Sequence, residues 1–396
     1  MRAKRTLQPF SSRLSPIADD KCDLPPPGVT AAAGLEAALR RTVHGEVGFD
    51  DGSRALYATD ASNYRQPPIG VVLPRDAADV IAAVAAARAF GAPVLPRGGG
   101  TSLAGQCCDA AVVLDCSRHF DRILSLDVSG RRARVEPGLV LDTLRAAAAE
   151  HGLTFGPDPS THNHCTLGGM IGNNSCGVHS VLTEFYGPGA RTSDNLETLD
   201  VLTYDGLRLG VGPVGEDELD AIVAAGGRRG EIYGRLRDLR DRYAGEIRHR
   251  VPRIPRRVSG YDLTALLPEH GFNVARALAG SEGTCVTILE ATVTLVPAPR
   301  ARALLVLGYP SVYEAGDHVP EIRRHRPIGL EGMDQLLVES VARPRLIMAL
   351  PAMGGTSSAF GIGLIMAALV SYGIALNMFD SKFIVRVNKF ETRQLG

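Results

Sequence analysis

The feature that most constrains the fold is a glycine-rich turn that directly follows a predicted strand. The turn is PRGGGTSLAGQ (Pro96–Gln106), and APVLP before it reads as a strand. Further upstream lie a strand, IGVVLP, and a helix, DAADVIAAVAAARAFG, with Asp76 as N-cap and Gly91 as stop. In such a β–α–β unit, ligands bind beyond the carboxyl ends of the strands. The sequence therefore predicts a ligand site at this turn.

Two common phosphate-binding loops do not match the turn. A Walker A loop requires Lys and a hydroxyl residue after its last glycine, but Gln106 and Cys107 follow Gly105. A Rossmann fingerprint requires a third glycine at the position where Leu103 stands. Neither nucleotide hydrolysis nor a Rossmann dinucleotide site is therefore predicted.

The turn still meets the physical requirement of an anion site. Its glycines let neighbouring backbone N–H groups converge on one point. Thr101 and Ser102 add hydroxyl donors, and Arg97 adds charge. The alternative is a glycine turn without a ligand. A second glycine cluster, Cys165–Gly177, favours a ligand because it adds hydroxyls and further close-approach glycines.

Composition and cysteine spacing argue against several other classes. The chain contains 43 Lys+Arg and 43 Asp+Glu, so no overall field favours a nucleic-acid partner. Its 7 cysteines show no C-x-x-C spacing, which argues against a zinc ribbon or iron–sulfur site and indicates a reducing, cytoplasmic compartment. His162 and His164 with Cys165 are too few for a closed metal site. Cys107 and Cys108 are expected to be buried thiols, since adjacent cysteines form a strained disulfide.

Four motifs, taken in order, resemble the FAD-binding domain of the vanillyl-alcohol oxidase / p-cresol methylhydroxylase (PCMH) superfamily. Within it the likeness is to the FAD-linked D-lactate, glycolate and D-2-hydroxyacid dehydrogenases. The resemblance implies an α+β, two-subdomain PCMH-type fold that holds FAD. The motifs are Pro96–Gln106, PDPSTHNHCTLGGMIGNNSCG (157–177), RRVSGYDL (Arg256–Leu263) and GSEGT (Gly280–Thr284).

The same resemblance assigns residues to the cofactor. Some relatives link flavin to a His beside the first glycines; Thr101 lies there in this chain, so non-covalent FAD is expected. Arg257 and Tyr261 are candidates for substrate contact. The expected FAD-binding residues are Pro96, Arg97, Gly98, Gly99, Gly100, Thr101, Ser102, Gly105, Pro157, Asp158, Pro159, Ser160, Thr166, Gly168, Gly169, Gly172, Asn173, Asn174, Ser175, Gly177, Glu282, Gly283 and Thr284.

The expected domain organisation follows from the motifs and from composition. Residues 231–267 are expected to be mainly helical. The amino terminus is basic without an apolar core, so it is not predicted to be a secretory signal. The predicted units are a disordered basic extension (1–28), a helical lead-in (29–63), the FAD-binding domain (64–299), the beginning of an α/β cap domain (300–341) and an apolar tail (342–396).

The cap is expected to be truncated. In the family a later, histidine-rich stretch supplies metal ligands and a catalytic base, whereas no histidine follows His325 in this sequence. The iron–sulfur cysteine motifs of larger relatives are also missing from it. Instead, residues 359–379 are nearly all apolar and long enough to span a bilayer. A membrane helix and an aberrant tail that buries itself are the two alternatives.

These features predict an FAD-dependent oxidoreductase. A small 2-hydroxy acid would give a hydride equivalent to FAD, and the electrons would pass to an acceptor other than NAD, with little turnover by this chain alone. Three alternatives stay open. They are a non-enzymatic FAD-binding module that needs a cap-bearing partner chain, a cell-wall-type flavin reductase that uses NADPH, and a phosphate-binding protein without flavin.

Overall fold

The computed structural model describes residues 29–178, 181, 187–254, 256–301, 303–336 and 383–389. The predicted extension at 1–28, most of the tail and the apolar stretch 359–379 lie outside these residues. Within them, no helix is long and apolar enough to cross a membrane.

The first subdomain is a four-stranded sheet in the order β1–β2–β4–β3. Strands β2, β3 and β4 are parallel, and β1 pairs with β2 as an antiparallel edge. Apolar residues of α1 and α3, among them Leu35, Leu39, Val80 and Val84, form one core with the sheet. The elements are α1 (Val29–Thr42), β1 (Glu46–Gly48), α2 (Asp51–Leu56), β2 (Gly70–Leu73), α3 (Ala77–Ala89), β3 (Val94–Arg97) and β4 (Val112–Asp115).

Helix α3 has the boundaries that its sequence predicts. The Asp76 side chain accepts a hydrogen bond from the Asp79 N–H, which satisfies one unpaired donor at the helix start. After the last turn, Gly91 adopts a φ of 65°, a conformation that glycine adopts without strain. Because β3 begins three residues later, the glycine-rich turn Pro96–Gln106 emerges at the carboxyl edge of the sheet.

The second subdomain is a five-stranded antiparallel sheet in the order β5–β6–β10–β8–β9. On β10 every second residue from Thr287 is buried, which is the alternation of a sheet with one face on the core. The Asp205-Gly206 turn joins β8 to β9 as predicted, with Gly206 at a φ of 93°. The strands are β5 (Ile123–Asp127), β6 (Arg132–Val135), β8 (Leu196–Leu202), β9 (Arg208–Val211) and β10 (Thr287–Thr294), and a small pair is formed by β7 (Leu153–Thr154) and β11 (Val296–Pro297).

Helices cover the second sheet and carry its connections. They are α4 (Leu141–Ala149), α5 (Leu167–Gly172), α6 (Glu216–Ala225), α7 (Gly227–Arg250) and α8 (Val274–Leu278), and short 3₁₀ turns lie at Ser193–Asn195, Leu263–Leu266 and Pro268–His270.

The structure confirms that the stretch 231–267 is mainly helical, but the helix ends earlier than the stretch does. Helix α7 ends at Arg250, and Val251 is extended, with φ −71° and ψ 121°. Pro252 follows, and a proline disfavours the helical conformation in the residue before it. The described residues from Val251 to Asp262, all but position 255, therefore form an irregular strap, which carries most of the RRVSGYDL motif.

The lead-in at 29–63 is part of the first subdomain. Helix α1 packs on α3, and β1 adds a strand to the sheet beside β2. The chain from Tyr57 to Ala61 then reaches the glycine-rich turn, where the Ala61 N–H donates to the Gly100 carbonyl at 3.0 Å.

A third, three-stranded sheet follows Pro299. Strand β14 lies between β12 and β13 and is antiparallel to both, and α9 connects the two outer strands. This is a split β–α–β unit. Its elements are β12 (Ala303–Tyr309), α9 (Val312–Arg324), β13 (Pro327–Asp334) and β14 (Phe383–Lys389). Strand β14 falls within the tail 342–396, so this part of the tail completes the sheet that begins the predicted cap.

Candidate functional site

Three loops meet at one cleft between the two subdomains. Loop 1 is Pro96–Gln106 after β3, loop 2 is Pro157–Gly177 with α5, and loop 3 is Gly280–Thr284 before β10. The cleft consists of two adjoining cavities that share lining residues and open to solvent.

Most of the predicted FAD-binding residues line this cleft. They are Pro96, Arg97, Gly98, Gly99, Gly100, Thr101, Ser102, Thr166, Gly168, Gly169, Gly172, Asn173, Ser175, Glu282 and Gly283. The structure places the other predicted residues behind or beside the lining. These are Gly105, Pro157, Asp158, Pro159, Ser160, Asn174, Gly177 and Thr284, together with the substrate candidates Arg257 and Tyr261.

Loops 1 and 2 approach each other so closely that glycine is required at the contacts. A Cβ on Gly98 would lie 2.1 Å from the Thr166 Oγ1, and one on Gly99 would lie 2.2 Å from the His164 carbonyl oxygen. Within loop 2, a Cβ on Gly177 would lie 1.7 Å from the Asp158 carbonyl oxygen. These glycines therefore let the loops touch, a role that is distinct from holding an anion.

Loop 1 nevertheless presents a run of open donors. No backbone N–H from Gly98 to Ser102 donates a hydrogen bond to any group in the described part of the chain. In loop 2, by contrast, the N–H of Gly168 donates to the Pro137 carbonyl and that of Gly169 to the Thr166 hydroxyl. Successive unpaired N–H groups favour an anion, so loop 1 is the part of the cleft suited to bind one.

The Arg97 side chain lines the cleft and is held there by backbone carbonyls. Its guanidinium donates to the carbonyls of Thr59 at 2.8 Å, Cys107 at 2.9 Å and Tyr57 at 3.3 Å, and it lies over the Tyr57 ring. With these partners the side chain ties the lead-in to loop 1 and fixes the shape of the turn. The remaining donors of loop 1, its backbone N–H groups and hydroxyls, are neutral.

Loop 3 is joined to both other loops through Glu282. Its N–H donates to the Gly172 carbonyl at 3.0 Å, and its carboxylate accepts from the Gln106 side-chain amide at 3.3 Å. Glu282 has a φ of 50°, a left-handed conformation that costs free energy for a residue other than glycine. It is the only carboxylate among the lining residues of the described cleft.

The RRVSGYDL motif supports loop 3 and does not line the cleft. The Tyr261 hydroxyl lies 2.7 Å from the Thr284 hydroxyl, which also donates to the Ser281 carbonyl. Arg257 instead donates to the buried Asp262 at 2.5 Å. The motif residue Tyr261 thus holds the carboxyl end of loop 3.

Asp262 is the centre of a buried ionic network. Arg191 donates to its second carboxylate oxygen at 2.9 Å, while Arg257 and the Thr264 hydroxyl bind the first. Burial alone would raise the pKa of Asp262, but the Thr264 hydroxyl and the two guanidinium groups outweigh it and lower that pKa below its usual value. The network joins the strap to the segment that follows loop 2.

The cleft has further lining residues that the sequence analysis did not single out. Five of them, Gln106, Thr161, Cys165, Met170 and Ser281, lie inside the quoted motifs, so their place in the motifs was an available signal. Leu278 and Ile288 lie on a helix and a strand, where the pattern of apolar residues indicates only a core. The full set is Gln106, Cys107, Cys116, Pro137, Thr161, Cys165, Met170, Leu278, Ser281, Val286 and Ile288.

The thiols of the cleft are held in their neutral form. Burial raises the pKa of Cys107, raises that of Cys116 to about 12 and raises that of Cys165 to about 11. A neutral thiol is a poor nucleophile and a poor metal ligand. Among the described residues, no group of three His, Cys, Asp or Glu side chains could hold a metal ion.

Known proteins match this arrangement. The family described as FAD binding domain matches residues 68–211. D-2-hydroxyglutarate dehydrogenase of Pseudomonas putida is 35% identical over 307 residues, which are 76% of this chain and 30% of that protein. Glycolate oxidase subunit GlcD of Escherichia coli is 32% identical over 333 residues, 83% of this chain and 55% of that protein. D-lactate dehydrogenase of Archaeoglobus fulgidus is 28% identical and covers 68% of this chain and 48% of its own length.

Residues 68–211 therefore match an FAD-binding domain, and the chain is similar over most of its length to D-2-hydroxyglutarate dehydrogenases and glycolate oxidase subunits. The chain spans about a third of the length of the D-2-hydroxyglutarate dehydrogenases it matches and about half that of the glycolate oxidase subunits. Among solved structures, alkyldihydroxyacetonephosphate synthase shares the fold. It superposes with a TM-score of 0.59 at 18% identity over 90% of this chain and 55% of that one.

Replacing Asp262 with Ala is expected to destabilise the fold by about 3 kcal/mol, because it leaves the partly buried Arg257 and Arg191 without their shared carboxylate. The pKa of Asp262 is lower in the folded than in the unfolded protein. The Asp262 carboxylate therefore adds to the free energy of unfolding above pH 4, which is about its unfolded-state pKa, and this stabilisation is lost as the pH falls below that value. Urea unfolding at pH 7 and at pH 3 measures both effects.

Glu36→Gln is the matched control, since it removes a surface ion pair with Arg40, one turn further along helix α1. Its effect should be far smaller at both pH values. If Asp262→Ala unfolds at the same urea concentration as the wild type, the buried network does not stabilise the fold.

Proposed function

We propose that this chain binds FAD non-covalently in the three-loop cleft and serves as the flavin-holding unit of an enzyme that oxidises a 2-hydroxy acid. The observation that carries the proposal is the run of unpaired N–H groups from Gly98 to Ser102, at the cleft formed by the family's own motifs. When bound, FAD would accept a hydride equivalent from the substrate and pass electrons to an acceptor other than NAD.

The residues of the cleft suit the parts of FAD. Loop 1 offers N–H donors to the anionic pyrophosphate. Thr166 and Asn173 offer polar side chains to the hydroxyl-bearing chain, and the apolar residues Leu278, Val286 and Ile288 suit the flat face of the flavin ring. Thr101 stands where some relatives have the histidine that attaches flavin covalently, and its hydroxyl supports reversible binding instead.

Substrate oxidation also needs a group that takes up the proton of the substrate hydroxyl. Among the residues that line the described cleft there is no histidine, the thiols are neutral, and Glu282 is the only carboxylate. Glu282 would also repel a substrate carboxylate. We therefore propose that the chain alone turns over 2-hydroxy acids slowly.

The same lining favours a second candidate function, a flavin-binding module completed by another polypeptide that supplies the base and covers the substrate. The glycolate oxidase relative is itself described as a subunit. Co-purification of a second chain that accelerates flavin reduction would distinguish this function from that of a self-sufficient enzyme.

The visible absorption spectrum of the purified chain tests the proposal. A yellow protein that releases its flavin on acid denaturation is expected, because the cofactor is held without a covalent bond. Anaerobic addition of D-2-hydroxyglutarate, glycolate or D-lactate should bleach the flavin slowly. A folded but colourless protein that takes up no added FAD would refute the flavin proposal, and rapid bleaching by one of these acids would refute slow turnover.

Replacing Gly98 with Ala is expected to weaken FAD binding by about tenfold or more, because the methyl group would lie 2.1 Å from the Thr166 Oγ1 and force loops 1 and 2 apart. Gly210→Ala on β9 is the control, since a Cβ there meets no atom within 4 Å. Flavin fluorescence titration measures both affinities. Equal affinities for the two variants would show that loop contact is not required.

A further inference from the structure

Helix α4 contacts the first half of loop 2 along its length. The Leu141 N–H donates to the Cys165 carbonyl at 3.1 Å, and the Asp142 N–H donates to the His162 carbonyl at 3.2 Å. The Asp142 carboxylate also lies 2.8 Å from the His162 Nδ1. Loop 2 is thus attached to α4 at its middle, close to the residues that line the cleft.

Arg145, one turn further along α4, attaches the start of the same loop. Its Nη1 donates to the Asp158 carboxylate, and its Nη2 donates to the Phe155 carbonyl at 3.3 Å. The side chains are 21% and 12% exposed for Arg145 and Asp158, so water screens this pair less than a surface pair. The Arg145 Nε is buried without a partner among the described residues, and its Nη1 also lies 4.0 Å from the Asp142 carboxylate on the same helix.

Asp158 in turn fixes the far end of loop 2. The backbone of Gly177 packs against the Asp158 carbonyl so closely that a Cβ there would lie 1.7 Å from the oxygen. Between these ends lie Thr161, Thr166 and Gly169, which line the cleft. A shift of Asp158 would therefore move both ends of the loop that forms one wall.

We propose that Arg145 is a positioning residue for the cofactor, acting through its ion pair with Asp158. Arg145 does not line the cleft; it holds loop 2 in the conformation that meets loop 1. Holding a binding loop in its bound shape improves affinity by lowering the ordering cost. The inference rests on the proposed function, since it concerns FAD affinity.

Two single variants and the double variant distinguish an effect of the Arg145–Asp158 pair on FAD affinity from its effect on the stability of the fold. Arg145→Met takes the cation away from the Asp158 carboxylate, and Asp158→Asn takes the carboxylate away from the Arg145 guanidinium, so both should lower the free energy of unfolding and weaken FAD binding. The double variant removes both charges of the pair together, and stability should recover towards wild type. FAD affinity should stay about tenfold weaker, because the loop is no longer attached.

The measurements are urea unfolding of the FAD-free protein, flavin fluorescence titration and the visible circular dichroism of bound flavin. The circular dichroism reports how the loops surround the ring. Arg208→Met is the control, since it removes an ion pair with Asp200 on the second sheet that has similarly short contacts and lies away from the cleft. It should leave both the FAD affinity and the circular dichroism unchanged.

A stable double variant with weak FAD binding and altered circular dichroism supports the proposal. A double variant that binds FAD as tightly as wild type overturns it, as does an equal loss of affinity in Arg208→Met. If the wild type itself takes up no FAD, the proposed function fails first, and the titration of the wild type shows this separately.

Discussion

The backbone contact between the two glycine-rich loops is the constraint on which the rest of the site depends. Gly98 lies against the Thr166 side chain, and Gly99 against the His164 carbonyl, at distances that leave no room for a Cβ. Each loop comes from a different subdomain, so this contact also sets how the two sheets meet at the cleft. Loop 3 then closes on both through Glu282, whose backbone and carboxylate reach loops 2 and 1 respectively.

The contact leaves a cleft with little positive charge. Arg97 is the one cation among the lining residues of the described cleft, and its guanidinium is occupied by three backbone carbonyls. An anionic cofactor would be held by N–H dipoles from Gly98 to Ser102 in a fixed geometry. These donors are preorganised because loops 1 and 2 are already in contact. Arg145 adds to this by holding the start of loop 2 through Asp158 and Phe155.

Local features of the fold could be predicted from the sequence, whereas features that depend on distant partners could not. The Asp76 cap, the Gly91 stop and the Asp205-Gly206 turn depend on neighbours within a few residues, and the structure confirms them. Arg145 looks like any polar residue on a helix, and only the fold brings it to Asp158. The pairing of strand β14 with β12 and β13 could not be predicted either, because both partners lie far away in the sequence.

The central claim is that the cleft holds the FAD pyrophosphate by the neutral donors of loop 1. An experimental structure of the chain with FAD tests this most directly. The account predicts pyrophosphate oxygens within about 3 Å of backbone N–H groups between Gly98 and Ser102, with the Arg97 guanidinium still bound to its three carbonyls. A pyrophosphate bound by the Arg97 side chain, or lying outside the three-loop cleft, would contradict it.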